Sequence, residues 1–414
     1  MDRPATWDST KERRGLWVSI ARKLVFHQLS QLHTGCIELR EGDNVYHFGE
    51  VWVSGADLVA ELHVKDPDCY LDILTGGSIG AAEAYMTGDW STPDLTALVR
   101  VMVRNRDILD RMEGGLALLS RPFLTALSLL RRNTEKGARR NIAAHYDLGN
   151  DFFKRFLDPT MMYSSGIFPE KDASMEQASL HKLKTICERL QLKPGEHVIE
   201  IGTGWGGFAL YAAKHYGVQV TTTTISQQQF NYAKAEIEAQ GLQDQITLLS
   251  EDYRRLEGQY DKLVSIEMIE AVGAEFYPDF FATCSRLLRP GGLMVIQAIT
   301  IEDQRFEQAR RSVDFIKRYI FPGSCIPSTQ SLCTAAMKAS DMRLVAFTDF
   351  AEHYARTLNA WFQRFQLNRA EIESLGYSET FLKMWEFYLC YCEGGFAERS
   401  IGVAHFTFAK PLFR

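Results

Sequence analysis

From Asn141 onward, short β-rich apolar runs alternate with stretches of helical character. HVIEIG (197–202), VQVTTTTI (218–225), ITLLS (246–250), DKLVSIE (261–267) and GLMVIQAIT (292–300) each read as a strand. Strands alternating with helices predict a doubly wound α/β sheet. RLVAFTDF (343–350) and GVAHFTFAK (402–410) add two more strands at an edge. The N-terminal part has a different rhythm. CIELR, NVYHFG, ADLVAELHV and CYLDILTG, within residues 35–75, are separated by polar turns such as Glu41-Gly42-Asp43-Asn44. They predict a small sheet with one buried face. GSIGAAEAYMTGDW then reads as a glycine-punctuated turn and a short helix, and a longer helix starts near Ser91 or Thr92. The expected organisation is an N-terminal α+β domain over 1–105, a connector over 106–140 and a second domain over 141–414.

Composition narrows the class. Of the 414 residues 46% are hydrophobic and 24% charged, as in soluble globular proteins, and the formal net charge of −6 gives no global pointer to nucleic acid. The eight cysteines contain no C-x-x-C pair, which removes zinc-ribbon and thioredoxin readings and fits a reducing cytoplasm. MDRPATWDSTKERRGLW is too polar for a secretory signal. The longest apolar run, Gly115 to Leu130, is interrupted by Arg121 and Pro122 and falls short of the roughly 20 residues that cross a bilayer. Arg131, Arg132, Lys136, Arg139 and Arg140 follow it directly. Two readings stand for this connector: a basic amphipathic segment on an anionic membrane surface, and a solvated interdomain helix.

The chemistry starts at EIGTGWGG (200–207). Gly202, Gly204 and Gly207 fit the dinucleotide pattern G-x-G-x-x-G, while Glu200 with Gly202, Gly204 and Gly206 fits the acidic glycine loop of S-adenosylmethionine enzymes. Both place a glycine turn after a strand and before a helix. Two features separate them. Glu200 at the strand tip suits the charged methionine end of S-adenosylmethionine and would repel a pyrophosphate. A nicotinamide enzyme also wants an acid about 20 residues on, where this chain has Thr221 to Thr224 and then ISQQQ. Asp252-Tyr253, after the third strand, suits adenine recognition, by a carboxylate accepting from the amino group and a ring beside the base. Taken alone, the pair also reads as a turn residue next to a packed ring.

Several longer motifs occur in order: AAEAYMTGDW (81–90), HYDLGNDFFKRFLDPTMMYSSGIF (145–168), VIEIGTGWGGFALYAA (198–213), TISQQQ (224–229), VSIEMIEAVG (264–273), RYIFPGSCIPS (318–328) and HYARTLNAWFQRF (353–365). Through them the chain resembles the cyclopropane-fatty-acyl-phospholipid synthases and the related mycolic-acid methyltransferases, over nearly its whole length. The resemblance implies a Rossmann-like class I S-adenosylmethionine methyltransferase domain with a seven-stranded, mostly parallel sheet, and a smaller N-terminal α+β lipid-binding-like domain. It implies methyl transfer to a cis double bond of an acyl chain in phospholipid, through a carbocation that closes to a cyclopropane. Implied with it are a bilayer-surface partner, peripheral attachment to the inner face of the membrane, and compatibility with a homodimer.

Position by position, Tyr163, Ser164, Glu200, Gly202, Gly204, Thr224, Gln229, Asp252 and Tyr253 resemble the cofactor contacts. A bicarbonate base is implied as well, caged at Ser165, Glu270, Gln297, Ile299 and Tyr354. By spacing alone Tyr354, with Leu358, Trp361 and Phe365, reads as a core residue. Aromatic faces suit the cation, and Trp385, Phe387, Tyr388 and Tyr391 are candidates, with core packing as the alternative.

The chain departs from the family pattern inside that cage. Its usual YSC reads Tyr163-Ser164-Ser165, its HTI reads Gln297-Ala298-Ile299, and its FEH reads Ile269-Glu270-Ala271. Serine and glutamine still hydrogen-bond an anion, but histidine's capacity to carry a proton is lost. These departures raise a second product, a methyl- or methylene-branched acyl chain. A small-molecule N-methyltransferase, a non-catalytic lipid-binding protein and a nicotinamide oxidoreductase are the readings from other classes.

Overall fold

A computed structural model describes residues 9–49, 58–111 and 148–414. The chain forms two units. The first joins the N-terminal segment to Asp314–Ile320 and Tyr377–Glu398, and the second takes the described residues up to Val313, then Phe321–Gly376 and Arg399–Arg414. The boundary expected at 141 thus gives way to an interleaved one, because two later segments pack with the N-terminal unit. The apolar run and basic cluster of the connector lie outside the described residues.

In the first unit α1 (Ser9–Leu29) precedes β1 (Cys36–Glu41), β2 (Asn44–Phe48) and β3 (Val59–Val64). The sheet order is β2-β1-β3, closed by β4 (Trp90–Ser91), with β1 parallel to β3 and antiparallel to β2. CYLDILTG, expected as a strand, is instead the start of helix α2 (Cys69–Thr87). A short apolar run does not by itself distinguish strand from helix. Two glycines let this helix fold as it does. Gly77 breaks it at φ 57°, and a Cβ on Gly80 would lie 1.9 Å from the Asp72 carbonyl oxygen. The following helix α3 spans Leu95–Arg104 and is capped by Asp94, whose side chain accepts from Ala97 N–H, so it starts a few residues later than expected.

The second unit carries all seven expected strands: β5 (His197–Ile201), β6 (Gln219–Thr223), β7 (Ile246–Leu249), β8 (Tyr260–Ile266), β9 (Leu288–Ile301), β10 (Arg343–Asp349) and β11 (Ile401–Ala409). Their order is β10-β11-β9-β8-β5-β6-β7. Pairs from β7 through β9 are parallel, and β11 runs antiparallel between β9 and β10. Of the two strands expected at an edge, β10 is at the edge and β11 lies one place in.

Helices cover both faces, which is why the central strands are apolar on both sides. Ile199, Ile201, Leu263, Met294 and Ile296 pack on one face with Phe280, Phe281 and Leu332. Val198, Val220, Val264 and Val295 pack on the other with Leu183, Ile186 and Phe208. The alternation along β5 follows from the two-residue period of a strand. α4 (Met175–Arg189), α5 (Gly207–Tyr216) and α6 (Gln227–Ala239) complete the part that positions the site, with α7 (Ala351–Leu367) beyond β10. Among the described residues no helix is long and apolar enough to cross a membrane.

Candidate active site

The loop between β5 and α5 is built by glycine geometry. Gly202, Gly204 and Gly206 take φ of 101°, 53° and 94°, a region that costs glycine nothing and other residues strain. Gly207 is helical, but a Cβ there would meet Met162 Sδ at 2.5 Å and Thr160 O at 2.9 Å. From β5 the chain moves outward to β6 and β7, then returns with β8 on the opposite side of β5. The loop therefore opens at the topological switch point, where α/β sheets bind ligands.

Glu200 is buried at the tip of β5, with Thr222 Oγ1 donating to its Oε2 at 2.6 Å. Burial pushes its carboxyl up to about 8, opposed by the Thr222 hydrogen bond and by the Lys182 ammonium. A buried acid held near neutrality is suited to a cation arriving beside it and unsuited to a pyrophosphate. Lys182, which the sequence reading did not single out, is fully buried on α4 and donates to Ser164 Oγ at 2.7 Å. Burial drives its ammonium down to about 8, while the charges of Glu267, Asp158 and Glu200 pull it back up.

The other expected cofactor contacts divide. Tyr163 lies in an aromatic cluster, its ring 5.2 Å from Phe153, 5.3 Å from Trp361 and 6.3 Å from Phe321. Thr224 Oγ1 donates to Gln229 Oε1 at 2.9 Å, tying the end of β6 to the first turn of α6. Asp252 follows β7 but is engaged by Arg254 at 2.9 and 2.6 Å. That guanidinium holds its carboxyl down at about 2. The Tyr253 ring stands edge-on to Phe280 at 5.5 Å. Asp252-Tyr253 thus has the features of a turn residue beside a packed ring, and an adenine amino group would share the carboxylate with Arg254.

Three of the cage positions, Ser165, Gln297 and Tyr354, spread over 190 residues of sequence, converge on a residue the sequence reading missed. Glu267, just past the end of β8, accepts from Ser165 N–H at 3.0 Å and Gln297 Nε2 at 2.7 Å through Oε1. Its Oε2 accepts from Tyr354 OH at 2.7 Å. Gln297 is oriented by buried His405, whose Nε2 lies 2.9 Å from Gln297 Oε1. Glu270, on the turn after β8, accepts from Ile299 N–H at 2.6 Å through Oε1, and its buried Oε2 has no partner. Burial, and then the charge of Glu267, push the Glu270 carboxyl up to about 8. Burial also raises Glu267, against the hydrogen bonds from Tyr354, Gln297 and Ser165.

The implied bicarbonate does not fit this arrangement. The backbone and side-chain donors there are occupied by the carboxyl groups of Glu267 and Glu270, and an added anion would be repelled by whichever of them is ionised. S-adenosylmethionine does fit, with Glu200, the Gly202–Gly204 turn, Tyr163 and Ser164 as the residues that would hold it. It supplies a methyl group on a positively charged sulfur. The remaining aromatic candidates pack within the first unit, where Phe387 stacks on Tyr391 and lies 4.7 Å from Phe315, and Trp385 meets Tyr388 at 5.1 Å.

A sheet of this order, with a glycine turn after its first strand and an acid at that strand's tip, defines a class I S-adenosylmethionine-dependent methyltransferase. Residues 133–406 match the mycolic acid cyclopropane synthetase family, and the chain belongs to it. It is 37% identical over 375 residues to the tuberculostearic acid methyltransferase UfaA1 of Mycobacterium tuberculosis, covering 88% of this chain and 87% of that protein. It is 36% identical over 381 residues to the cyclopropane-fatty-acyl-phospholipid synthase of Escherichia coli, covering 89% and 94%. Among solved structures, the cyclopropane synthase MmaA2 from Mycobacterium tuberculosis superposes with a TM-score of 0.60 at 30% identity, over 65% of this chain and 96% of that one. Mycolic acid cyclopropane synthase CmaA1, complexed with S-adenosylhomocysteine and CTAB, gives the same TM-score and identity over 65% and 97%.

Proposed function

We propose that the enzyme transfers the methyl carbon of S-adenosylmethionine to a cis double bond in an unsaturated acyl chain of a phospholipid. One observation carries the reading. Tyr163 packs on Trp361, and Trp361 meets Tyr354 at 6.2 Å, whose hydroxyl donates to Glu267. An aromatic wall thus ends at a buried carboxylate. Ring faces stabilise a cation without trapping it, as water would, and the carboxylate accepts a proton. In the step itself the alkene π pair bonds to the methyl carbon, the carbon–sulfur pair stays on sulfur, and the second alkene carbon becomes cationic. The family relatives support a lipid acceptor. The basic segment from Arg131 to Arg140 supports a bilayer surface as partner, and the resemblance supports a lipid-facing role for the first unit.

Two products share that step. Loss of a proton from the added methyl closes a cyclopropane. Loss from a neighbouring chain carbon leaves a methyl-branched unsaturated chain, and loss from the added methyl after a 1,2-hydride shift leaves a methylene branch. The cage favours the second reading. The cysteine and histidine of the ring-forming pattern are Ser165 and Gln297, and Glu267 occupies the donors expected for a free anion. A tethered carboxylate cannot follow the methyl as a small ion can.

Incubation with methyl-labelled S-adenosylmethionine tests the class of acceptor. Label should enter vesicles of cis-unsaturated phospholipid, and should be absent from fully saturated vesicles and from small amines. Labelled amine with unlabelled unsaturated lipid would overturn the proposal.

A further inference from the structure

We infer that Glu267 is the enzyme's own catalytic base, built into the place where a bound bicarbonate would otherwise sit, so that turnover needs no exogenous anion. The inference rests on the alkene-methylation reading for the identity of the proton. It rests on the fold alone for the occupancy of the cage.

Three observations lead to it. The first is the donor set. Ser165 N–H, Gln297 Nε2 and Tyr354 OH all point at one carboxylate. Three donors on one carboxylate favour its ionised form, the form a base needs. His405 fixes which end of the Gln297 amide faces Glu267, and so acts as a positioning residue.

The second is the neighbour. Glu270 accepts from backbone N–H groups, Ile299 among them, and has a buried oxygen without a partner. The charge of Glu267 acts on the buried Glu270 carboxyl, and two buried carboxylates that interact in this way do not both ionise. Glu267, with three donors on its carboxylate, carries the charge, and Glu270 keeps the proton.

The third is the backbone. Glu267 has φ of 49°, in the left-handed region that glycine occupies at no cost. A glutamate held there carries backbone strain, which the fold maintains with the Glu267 N–H donating to Gln297 O at 2.8 Å while the side chain engages the cage donors. Its carboxylate lies deep in the unit, next to Tyr354 at the end of the aromatic wall.

In the reaction the Glu267 carboxylate takes one proton from the carbon next to the cation. The released C–H pair forms the new carbon–carbon double bond. The proton then leaves to water, and no oxidant or reductant is required.

The test uses the full-length enzyme and Glu267→Gly, a change that relieves the backbone strain while opening the cage. In carbon-dioxide-purged buffer the wild type should transfer methyl groups at the same rate with or without bicarbonate. Glu267→Gly should lose about 100-fold or more in purged buffer and recover saturably as bicarbonate is added at fixed ionic strength. Calorimetry with S-adenosylhomocysteine should show that the variant retains its cofactor site. Bicarbonate should raise the melting temperature of Glu267→Gly and leave the wild type unchanged. This last measurement needs no lipid, so it separates failure of the cage assignment from failure of the alkene reading. A wild type that slows when stripped of bicarbonate, or that is thermally stabilised by it, would overturn the inference. So would a Glu267→Gly variant with wild-type rate in purged buffer.

Discussion

Replacing Glu267 by glutamine lowers methyl transfer by about 100-fold or more while leaving affinity for S-adenosylhomocysteine within a few-fold of wild type, the span expected for losing a positioned general base. Glutamine keeps the shape of the side chain, and its amide oxygen can still accept from Ser165 N–H and Gln297 Nε2. Tyr354 OH, which now donates at 2.7 Å, can turn to accept from the new amide nitrogen. Packing is preserved and basicity is removed. A residue that merely braced the loop would behave in the opposite way, showing a lowered melting temperature and a largely retained rate. Steady-state assays with cis-unsaturated phospholipid vesicles, paired with calorimetry, separate the two.

The second large effect is on stability. Lys182→Met removes a fully buried ammonium from among Glu200, Glu267 and Asp158, and takes the donor from Ser164 Oγ. Methionine fills the space, so the loss is electrostatic. Breaking a buried charge network by deleting one partner costs about 3–5 kcal/mol. For a unit of this size that lowers the melting temperature by roughly 6–20 °C. The double variant Lys182→Met/Glu200→Gln should recover part of the loss, because one uncompensated carboxylate is removed with the lysine. An unchanged melting temperature for Lys182→Met would show that the carboxylates are already neutral without it.

How much of this was legible beforehand differs by element. The seven strands of the second unit were, because runs of apolar and β-branched residues stand apart from the helices between them. The α2 helix was not, because CYLDILTG is too short for periodicity to decide, and Gly77 and Gly80, read as turn residues, serve a kinked helix. The interleaving of Tyr377–Glu398 with the N-terminal unit leaves no local mark, since the buried Phe381, Leu382, Trp385 and Leu389 of its helix Glu379–Ala397 show that it packs but not against what.

The site divides in the same way. Glu200 and the glycines announce themselves by spacing. Ser165, Gln297, Ile299 and Tyr354 came from resemblance, and no periodicity would have joined them. Glu267 carried a readable signal. It ends the strand-like run DKLVSIE, so the reasoning that picked Glu200 as an acid at a strand tip applied to it equally. Lys182 carried one too, as a charged residue on the stripe Ala178, Lys182, Leu183, Ile186 that faces the core.

The departures of Ser165 and Gln297 from the family pattern acquire a physical meaning from Glu267. With a side-chain carboxylate in the cage, a histidine to share a proton and a cysteine to line the anion are no longer needed. Gln297 instead donates one hydrogen bond to Glu267 and receives one from His405.

The most direct test of the account is carbon-13 and proton NMR of phospholipid methylated with carbon-13-methyl S-adenosylmethionine. The account predicts the label on an acyl-chain carbon, as a methyl or methylene branch accompanied by olefinic proton signals. Label on a headgroup nitrogen or a carboxyl oxygen would contradict alkene methylation, and high-field cyclopropyl resonances would contradict the branched product.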